Sequence, residues 1–321
     1  MDKKIFAFFL LFSLVLFLGC IGGNKEKKTE EVSTGTLNAT ILINGKETNN
    51  LVLVSGQSAQ IGLRLKNVGS RDIFNATGFL IGCLESEETD KYDIAPNGEQ
   101  FFSWTVRAPV LGTSEIIKCP TTIRICFDSV SKGYTELIFI PETYNDVIPA
   151  PNYYSSGDFL KFTYNAGAMR VICNKTNGEC NVADPSINNM VIAVYTKNIG
   201  PGWVDYRKYS NGLAVNTLKK LSFNLSGDNV EIIKFGELSK EQLDNWLSDD
   251  GKYLEIKASE VGDYKYLLKL VQGKELYSRI VLNVKNPDAF QDGLNVYTLN
   301  SEADYGYCVD VATINVELRG R

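Results

Sequence analysis

From residue 37 onward, the sequence consists mostly of short runs in which apolar and polar residues alternate. In one such run, Ile61, Leu63 and Leu65 alternate with small or charged residues. A period of two places one set of side chains on the buried face of a β-sheet. Dipeptides that favour tight turns, such as Asn44-Gly45, separate these runs. The pattern therefore predicts a mainly β protein built from antiparallel β-sandwich domains, because an α/β fold needs a helix between most strands.

One short helix is predicted near residues 240–248. Ser239 begins a capping box that Gln242 completes three residues later, so that each side chain satisfies a backbone N–H at the start of the helix. Leu243 and Trp246 then fall on one face, and Gly251 follows as a stop signal.

Two short motifs occur twice, and they predict two tandem domains of one type. Lys66-Asn67-Val68-Gly69 recurs as Lys197-Asn198-Ile199-Gly200, each time after an alternating strand. Cys126-Phe127-Asp128 is echoed by Cys308-Val309-Asp310. Two prolines between residues 147 and 151 indicate a stiff linker. The predicted domains are a β-sandwich at 37–146 and an enlarged β-sandwich at 152–321.

The second copy is longer than the first. Asn67 and Cys126 are 59 positions apart, whereas Asn198 and Cys308 are 110 apart, so the second copy has about 51 extra residues. Aligning 94–104 with 256–266 would place about 31 of them before residue 266, including the helix, and about 20 after it. Insertions of this kind either carry function or cover a sheet edge, and both alternatives stay open.

The N-terminus has the pattern of a secretory signal: two lysines, an uncharged apolar run over 5–18, and a glycine before Cys20. Residues 16–20 resemble the lipobox of prokaryotic lipoproteins, and the Cys-Ile-Gly-Gly continuation resembles archaeal examples. The resemblance implies a signal peptide at 1–19, cleavage before Cys20 and lipidation of its thiol. The alternative is an uncleaved N-terminal membrane anchor, since residues 5–23 are just long enough to span a bilayer.

Either alternative predicts a protein that is attached to the cell membrane and lies on its extracytoplasmic face. Residues 20–36 are rich in charge and show no hydrophobic period, which predicts a flexible, lipid-anchored tether.

The strand that ends in Asn-x-Gly, the later Pro96-Asn97-Gly98-Glu99 and the aromatic strand ending at 104–109 together resemble CARDB-type and related immunoglobulin-like domains of prokaryotic surface proteins. The resemblance covers residues 37–141 and, more weakly, 152–321. It implies tandem immunoglobulin-like sandwiches of seven strands with an adhesive or spacer role, and it brings no catalytic residue.

The six cysteines that follow Cys20 are disulfide candidates, because an even number in an exported protein favours disulfides. Cys173 and Cys180 flank a predicted hairpin turn and are expected to pair. In an immunoglobulin-like sandwich, Cys83 lies on a strand next to the one that carries Cys119 and Cys126, so either pairing fits. Cys308 and the remaining cysteine are then left over, as buried thiols or as partners across the domains. The repeated C-x6-C spacing is wider than zinc sites favour, so we predict no metal and no cofactor.

Aromatic residues after the second Asn-x-Gly are the candidate binding residues. Trp203 is expected in the core of the next strand, with ligand binding as the alternative, and the roles of Tyr206 and Tyr209 stay open. Tyr153 and Tyr154, beside the linker, are expected to line a domain interface.

Composition narrows the possible functions. The chain has no histidine and a net charge of −5, which excludes Ser-His-Asp catalysis and His-ligated metal sites and disfavours nucleic-acid binding. We predict a non-enzymatic surface protein with a binding, adhesion or spacer role and a protein or glycan partner. One alternative is an accessory subunit of a membrane transport or secretion complex. The other is a carbohydrate-active enzyme with two facing carboxylates.

Overall fold

The structure is a computed structural model that describes residues 32–33, 36–84, 86, 88–176, 179–181, 185–204 and 216–321. These residues are mainly β-structure, with a central sheet of ten strands, outer sheets of five and four strands, and a two-stranded hairpin. Cys20, Tyr206, Tyr209 and the predicted signal peptide lie outside the described residues.

The first outer sheet is formed by strands from the first half of the chain: β1 (Val32–Ser33), β2 (Leu37–Ile43), β3 (Lys46–Glu47), β5 (Ser58–Asn67) and β8 (Glu99–Arg107). The second outer sheet is formed by strands from the second half: β11 (Leu160–Asn165), β15 (Asn189–Asn198), β18 (Val230–Phe235) and β20 (Glu275–Val284). β1 lies within the predicted tether and pairs with β2.

The central sheet draws strands from both halves: β4 (Asn50–Val54), β6 (Ile73–Gly82), β7 (Tyr92–Ile94), β9 (Ile116–Pro141), β10 (Tyr153–Ser155), β12 (Ala168–Val171), β16 (Trp203–Val204), β17 (Lys220–Leu225), β19 (Tyr253–Lys257) and β21 (Asn295–Arg319). The hairpin pairs β13 (Asn174–Thr176) with β14 (Glu179–Asn181).

The long strands β9 and β21 join the two halves of the chain. They pair antiparallel from Ile116↔Arg319 to Asn295↔Phe139, with one register shift at Asp310/Ala312. The order of the sheet, β19-β17-β21-β9-β6-β7, is symmetric about this pair. Short strands also cross over, since β4 pairs parallel with β21 and β12 pairs parallel with β9. An approximate two-fold axis therefore passes through the β9–β21 pair.

Each outer sheet packs on its own half of the central sheet through large side chains. Trp104 of β8 lies directly against Gly78 of β6, where an added Cβ would meet the indole ring at 2.5 Å. In the second half, the rings of Phe223 in β17 and Phe235 in β18 are 5.7 Å apart. Burial of alternate residues makes this packing possible, and Ile61, for example, is fully buried. The result is a β-sandwich packing of the outer sheets against the central sheet.

The first Asn-x-Gly motif forms a structured turn at the end of β5. Asn67 is 1% exposed, and its Nδ2 donates hydrogen bonds to the carbonyl oxygens of Arg71 (2.7 Å) and Ile94 (3.1 Å). Its Oδ1 accepts a hydrogen bond from the backbone N–H of Gly69 at 3.0 Å. The side chain thus replaces the backbone partners that the turn removes.

The second motif repeats this arrangement at the end of β15, which has ten residues like β5. Asn198 donates from Nδ2 to the carbonyl oxygens of Gly202 (2.9 Å) and Gly273 (3.2 Å). Its Oδ1 accepts from the backbone N–H of Gly200 at 3.2 Å. The sequence repeat is therefore also a repeat of local structure.

The predicted alignment of 94–104 with 256–266 is wrong. In the first half, Lys66 pairs with Glu99, and in the second half, Lys197 pairs with Glu275, so the two glutamates are equivalent. Asn67 and Glu99 are 32 positions apart, against 77 for Asn198 and Glu275. Thus 45 of the extra residues precede Glu275 and 6 follow it.

The extra residues contain β18 and the helix, which lie between β17 and β19. β18 pairs with β20 at the edge of the second outer sheet, whereas β8 ends the order of the first outer sheet. One part of the insertion therefore extends a sheet edge. Residues 31–321 form one compact unit, and the boundary at 147–151 stays a prediction.

The helix α1 spans Lys240–Asp244, and both hydrogen bonds of the predicted capping box are present. It ends four residues earlier than predicted, and the chain then turns back through Gly251, whose φ is +75°. Among the described residues, no helix is long and apolar enough to span a membrane.

Candidate functional site

A cleft of about 480 Å³ lies on the outward face of the central sheet. Both halves of the chain contribute to it, through β9, β10, β17, β19, β21 and the loop after β5. The described residues that line it are Arg71, Lys132, Gly133, Tyr134, Tyr154, Ser222, Asn224, Tyr253, Asn300, Ser301 and Glu302.

The centre of the cleft is a row of side chains that runs across five neighbouring strands. The strand registers place Tyr253, Asn224, Asn300, Tyr134 and Tyr154 opposite one another in that order. Because side chains alternate across a sheet, all five project from the outward face while Phe223 and its neighbours fill the core. We call these five residues the cross-strand row. It has aromatic residues at its ends and amides in its middle.

The tyrosines of the cross-strand row are accessible. Tyr134, Tyr154 and Tyr253 are 37%, 52% and 39% exposed. The rings of Tyr134 and Tyr154 lie 5.9 Å apart at an angle of 30°, and the hydroxyl of Tyr253 donates to Glu255 at 2.6 Å. Exposed rings that are held in place offer apolar contact area at a small loss of conformational entropy.

A chain of ion pairs lies beside the row. Lys220 Nζ is 2.9 Å from Glu302 and 3.8 Å from Glu255, and Lys132 Nζ is 3.2 Å from Glu302. Burial opposes ionisation of Glu302, but hydrogen bonds from the two lysines outweigh it and lower the pKa of this carboxyl. The pKa of Glu255 is also lowered, first by its hydrogen bond from Lys257. These carboxylates are therefore ionised and neutralised by neighbouring lysines.

General acid catalysis by two carboxyl groups requires one of them to have a raised pKa. Burial raises the pKa of Asp304, two positions after Glu302 on β21, but Asp304 is not among the described residues that line the cleft. The described lining thus offers hydrogen-bonding and stacking groups. Binding is the chemistry that this arrangement supports best.

A clamp between the two halves fixes the rim of the cleft. The carboxylate of Asp158 accepts hydrogen bonds from the backbone N–H groups of Ser70 (2.8 Å) and Arg71 (3.0 Å), and from the hydroxyl of Ser70 (3.0 Å). Arg71 Nε donates to the carbonyl oxygen of Ser156 at 3.4 Å. Asp158 therefore ties the first Asn-x-Gly loop to the second half of the chain.

Of the residues predicted for binding, Trp203 is half-buried on β16, opposite Cys308. The guanidinium carbon of Arg124 lies 4.4 Å from the centre of its indole ring, and Arg124 also donates two hydrogen bonds to Asp310, at 2.7 and 3.2 Å. One face of the indole is therefore covered. Tyr154, expected at a domain interface, lies on the cleft wall, and Tyr153 is 63% exposed.

The six cysteines after Cys20 form three disulfides. Cys173 pairs with Cys180 (Cα atoms 5.0 Å apart), Cys83 with Cys119 (6.1 Å) and Cys126 with Cys308 (4.1 Å). The last pair joins directly opposite residues of β9 and β21, so the two repeated Cys-x-Asp motifs meet. Asp288 lies near Cys173 and Cys180, but sulfurs in a disulfide are not the thiolates that bind zinc.

Most residues of the cleft carry no motif, and sequence reasoning missed them. Tyr134, Asn300 and Tyr253 occupy ordinary outward positions of alternating strands, where polar and aromatic residues are common. The only pattern in the sequence that could have indicated the cleft is the recurrence of Tyr and Asn at outward positions of strands. This pattern does not specify which strands are neighbours in the sheet.

No protein-family model and no curated protein sequence matches the chain. Among solved structures it is similar to a CARDB domain from Pyrococcus furiosus (12% identity, 27% of this chain and 75% of that chain, TM-score 0.20). It is also similar to a Niemann-Pick type C2 protein from the Japanese carpenter ant (9% identity, 30% of this chain and 85% of that chain, TM-score 0.21). A third similar structure is the Escherichia coli alpha-2-macroglobulin (13% identity, 60% of this chain and 9% of that chain, TM-score 0.21). Likenesses at this level carry no function from those proteins to this chain.

Proposed function

We propose that this protein is a non-enzymatic binding protein on the extracytoplasmic face of the cell membrane, and that the cleft around the cross-strand row is its ligand site. The observation that carries the proposal is the row itself, where accessible aromatic and amide side chains from five strands lie in one concave surface. Specific sites combine aromatic contact area with a few placed polar groups in this way.

We further propose that 37–146 and 152–321 are diverged copies of one CARDB-type, immunoglobulin-like sandwich. The matching hydrogen bonds of Asn67 and Asn198 and the symmetric order of the central sheet support this. On this proposal the copies are fused through β9 and β21.

Site-specific photo-crosslinking tests the binding site. A photo-reactive amino acid at Asn300 is expected to capture a non-self molecule when intact cells are irradiated. The matched control carries it at Asn315, an exposed asparagine farther along the same strand. Equal capture from both positions, or capture from neither, contradicts the proposed site.

Anchoring is proposed through a lipid on Cys20. The three disulfides are consistent with an oxidising compartment outside the cytoplasm. A single acyl chain holds weakly, so we expect two chains on Cys20. Intact-mass analysis of the membrane-extracted protein should show residues 1–19 removed and Cys20 lipidated. A retained Met1 or an unmodified Cys20 contradicts this.

A second candidate function is that of an accessory subunit of a membrane complex. One observation favours it: the outward face of the second outer sheet exposes Val191 (49%) and Tyr277 (52%), and Tyr266 (53%), from the segment Gly262–Leu268, lines a small pocket together with Tyr277. The variant Tyr277→Lys should then weaken co-purification of the complex in mild detergent. At the equivalent position of the first outer sheet, Phe101→Lys should leave co-purification unchanged. Equal behaviour of the two variants would count against this candidate.

A further inference from the structure

We propose that the ligand of the cleft is a neutral oligosaccharide that lies along the cross-strand row, with a sugar ring on the Tyr134–Tyr154 pair. The inference rests on the proposed binding function and goes beyond it by naming the class of ligand.

The dimensions of the row favour an extended ligand. Neighbouring strands are about 4.8 Å apart, so the four steps from Tyr253 to Tyr154 span roughly 19 Å. The row lies across the strands and is open along its length. A short oligomer whose units repeat the same contacts fits this shape better than a compact metabolite does.

The chemistry of the row matches that of sugars. A pyranose ring has apolar C–H faces and a rim of hydroxyls that both donate and accept hydrogen bonds. The exposed rings of Tyr134 and Tyr154 can pack against the apolar C–H faces of a sugar, and each has a polar hydroxyl at its tip. Asn224 and Asn300 each carry both a donor and an acceptor, which suits hydrogen bonding to the hydroxyls of a sugar.

The charges beside the row favour a neutral ligand. Glu302 lies within 3.2 Å of Lys132 and 2.9 Å of Lys220, so these groups already compensate one another. An anionic ligand would have to displace Glu302 from its lysines, and a cationic one would have to displace the lysines. Neutral hydroxyls can instead bond to the outer atoms of these groups without breaking an ion pair.

The test is affinity gel electrophoresis of the folded protein through gels that contain a single soluble polysaccharide. Neutral probes are dextran, mannan, xylan, galactan and glycol chitin, and acidic probes are alginate and polygalacturonate. We expect at least one neutral probe to retard the wild-type protein. Retardation by no neutral probe, or by the acidic probes only, overturns the inference.

Variants assign the binding to the cleft. Tyr134→Ala and Asn300→Ala should weaken retardation about tenfold, while Tyr134→Phe, which keeps the ring, should weaken it less. The controls Asn315→Ala and Tyr153→Ala should bind like the wild type. Asn300 is exposed, so Asn300→Ala is expected to fold and can be used for the test if Tyr134→Ala does not fold. Equal loss in Asn315→Ala overturns the assignment.

The outcomes also separate this inference from the proposed function. If crosslinking at Asn300 captures a protein while no polysaccharide binds, the cleft is a ligand site and the sugar assignment is wrong. If neither experiment gives a signal, both are wrong.

Discussion

The two ends of the central sheet share a strand arrangement but differ in the side chains of their outward faces. At one end, Asn300 lies between Asn224 and Tyr134, and Tyr253 and Tyr154 are at the two ends of the cross-strand row. At the other end, β21 carries Asn315 and pairs with β4, and the exposed apolar residues there are aliphatic: Val52 (51%), Val54 (39%), Ile81 (38%) and Ile116 (59%).

This difference shows what makes the cleft. Both ends have an exposed asparagine on β21 and a cross-strand ion pair between β9 and β21, namely Lys132–Glu302 at one end and Lys118–Glu317 at the other. The amides and charges are therefore common to both ends. Among the described residues, the tyrosines and the rim that Arg71 forms are found at one end only, so the site depends on side chains that differ between two similarly arranged ends of one sheet.

The largest expected effect comes from the disulfide on the approximate two-fold axis between the two ends. Cys126→Ala/Cys308→Ala opens a link between residues 182 positions apart, whereas Cys173→Ala/Cys180→Ala opens one of 7. In the chain-entropy description, the losses in the free energy of unfolding are about 5 and about 2 kcal/mol. Chemical unfolding under non-reducing conditions measures both. Equal losses would mean that this disulfide does not constrain the two halves.

The next effect tests whether the halves are equivalent. Asn67→Ala and Asn198→Ala each remove the three hydrogen bonds that organise a turn and leave backbone groups without partners. We expect each to lower the free energy of unfolding by about 2–4 kcal/mol. A loss in one half alone, measured by urea unfolding, would contradict the structural repeat.

A smaller effect on stability depends on pH and comes from Asp304, which lies on β21 near the end of the central sheet that carries the cross-strand row. Burial raises the pKa of Asp304 above its usual 3.8, so folding favours the protonated form and stability falls as pH rises through the folded pKa. Asp304→Asn should therefore melt higher than the wild type at neutral pH, and this gain should shrink well below pH 3.8.

The control for Asp304 is Asp228, whose pKa is shifted in the opposite direction, so that its effect on stability has the opposite sign. A hydrogen bond from Lys252 lowers the pKa of Asp228, so its contribution is present above 3.8 and is lost as pH falls through the folded pKa. Asp228→Asn should melt slightly lower at neutral pH. Thermal melts over a pH series measure both variants, and equal signs would contradict the assignment of causes.

The smallest effects compare the two ion pairs directly. Lys118→Met and Lys132→Met each remove an exposed lysine (75% and 59% exposed side chains), so each should change the free energy of unfolding by no more than about 0.5 kcal/mol. Only Lys132→Met should reduce polysaccharide retardation, by several-fold. A change in binding from Lys118→Met would place a ligand site at the wrong end.

Local features of this fold could be read from the sequence because they depend on neighbouring residues. The alternation of Ile61, Leu63 and Leu65 corresponds to three fully buried side chains on β5. Asn44 and Gly45 have positive φ angles of 49° and 79° in a tight turn, as their dipeptide predicts. The capping box at Ser239 depends on residues three positions apart.

Long-range features could not be read in this way. Nothing in the alternation of β9 specifies that it pairs with β21, because a period of two fits any partner strand. The misalignment of the insertion has a local cause. Before Glu99 the turn has the dipeptide Asn97-Gly98, with Asn97 at φ +61°, whereas before Glu275 the turn is formed by Gln272 and Gly273, at φ +51° and +70°. Gln-Gly is a weaker turn signal than Asn-Gly, so the equivalence of Glu99 and Glu275 was not evident from the sequence.

The cleft was hidden for the same reason, since its parts become neighbours only through the pairing of distant strands. Tyr134 and Asn300 lie side by side although 166 positions separate them in the chain.

The pairing of β9 with β21 also governs when the molecule can assemble. Ile116 pairs with Arg319 and Phe139 pairs with Asn295. Residues 116–139 of β9 therefore pair with residues that are synthesised at least 150 positions later in the chain. Contacts of such high sequence separation form slowly, and an unpaired strand of 26 residues is a template for aggregation. As the chain emerges from the ribosome or crosses a membrane, β9 has one edge open until β21 follows. We therefore expect nascent chains that end between β9 and β21 to need a chaperone, and the full-length chain to release it.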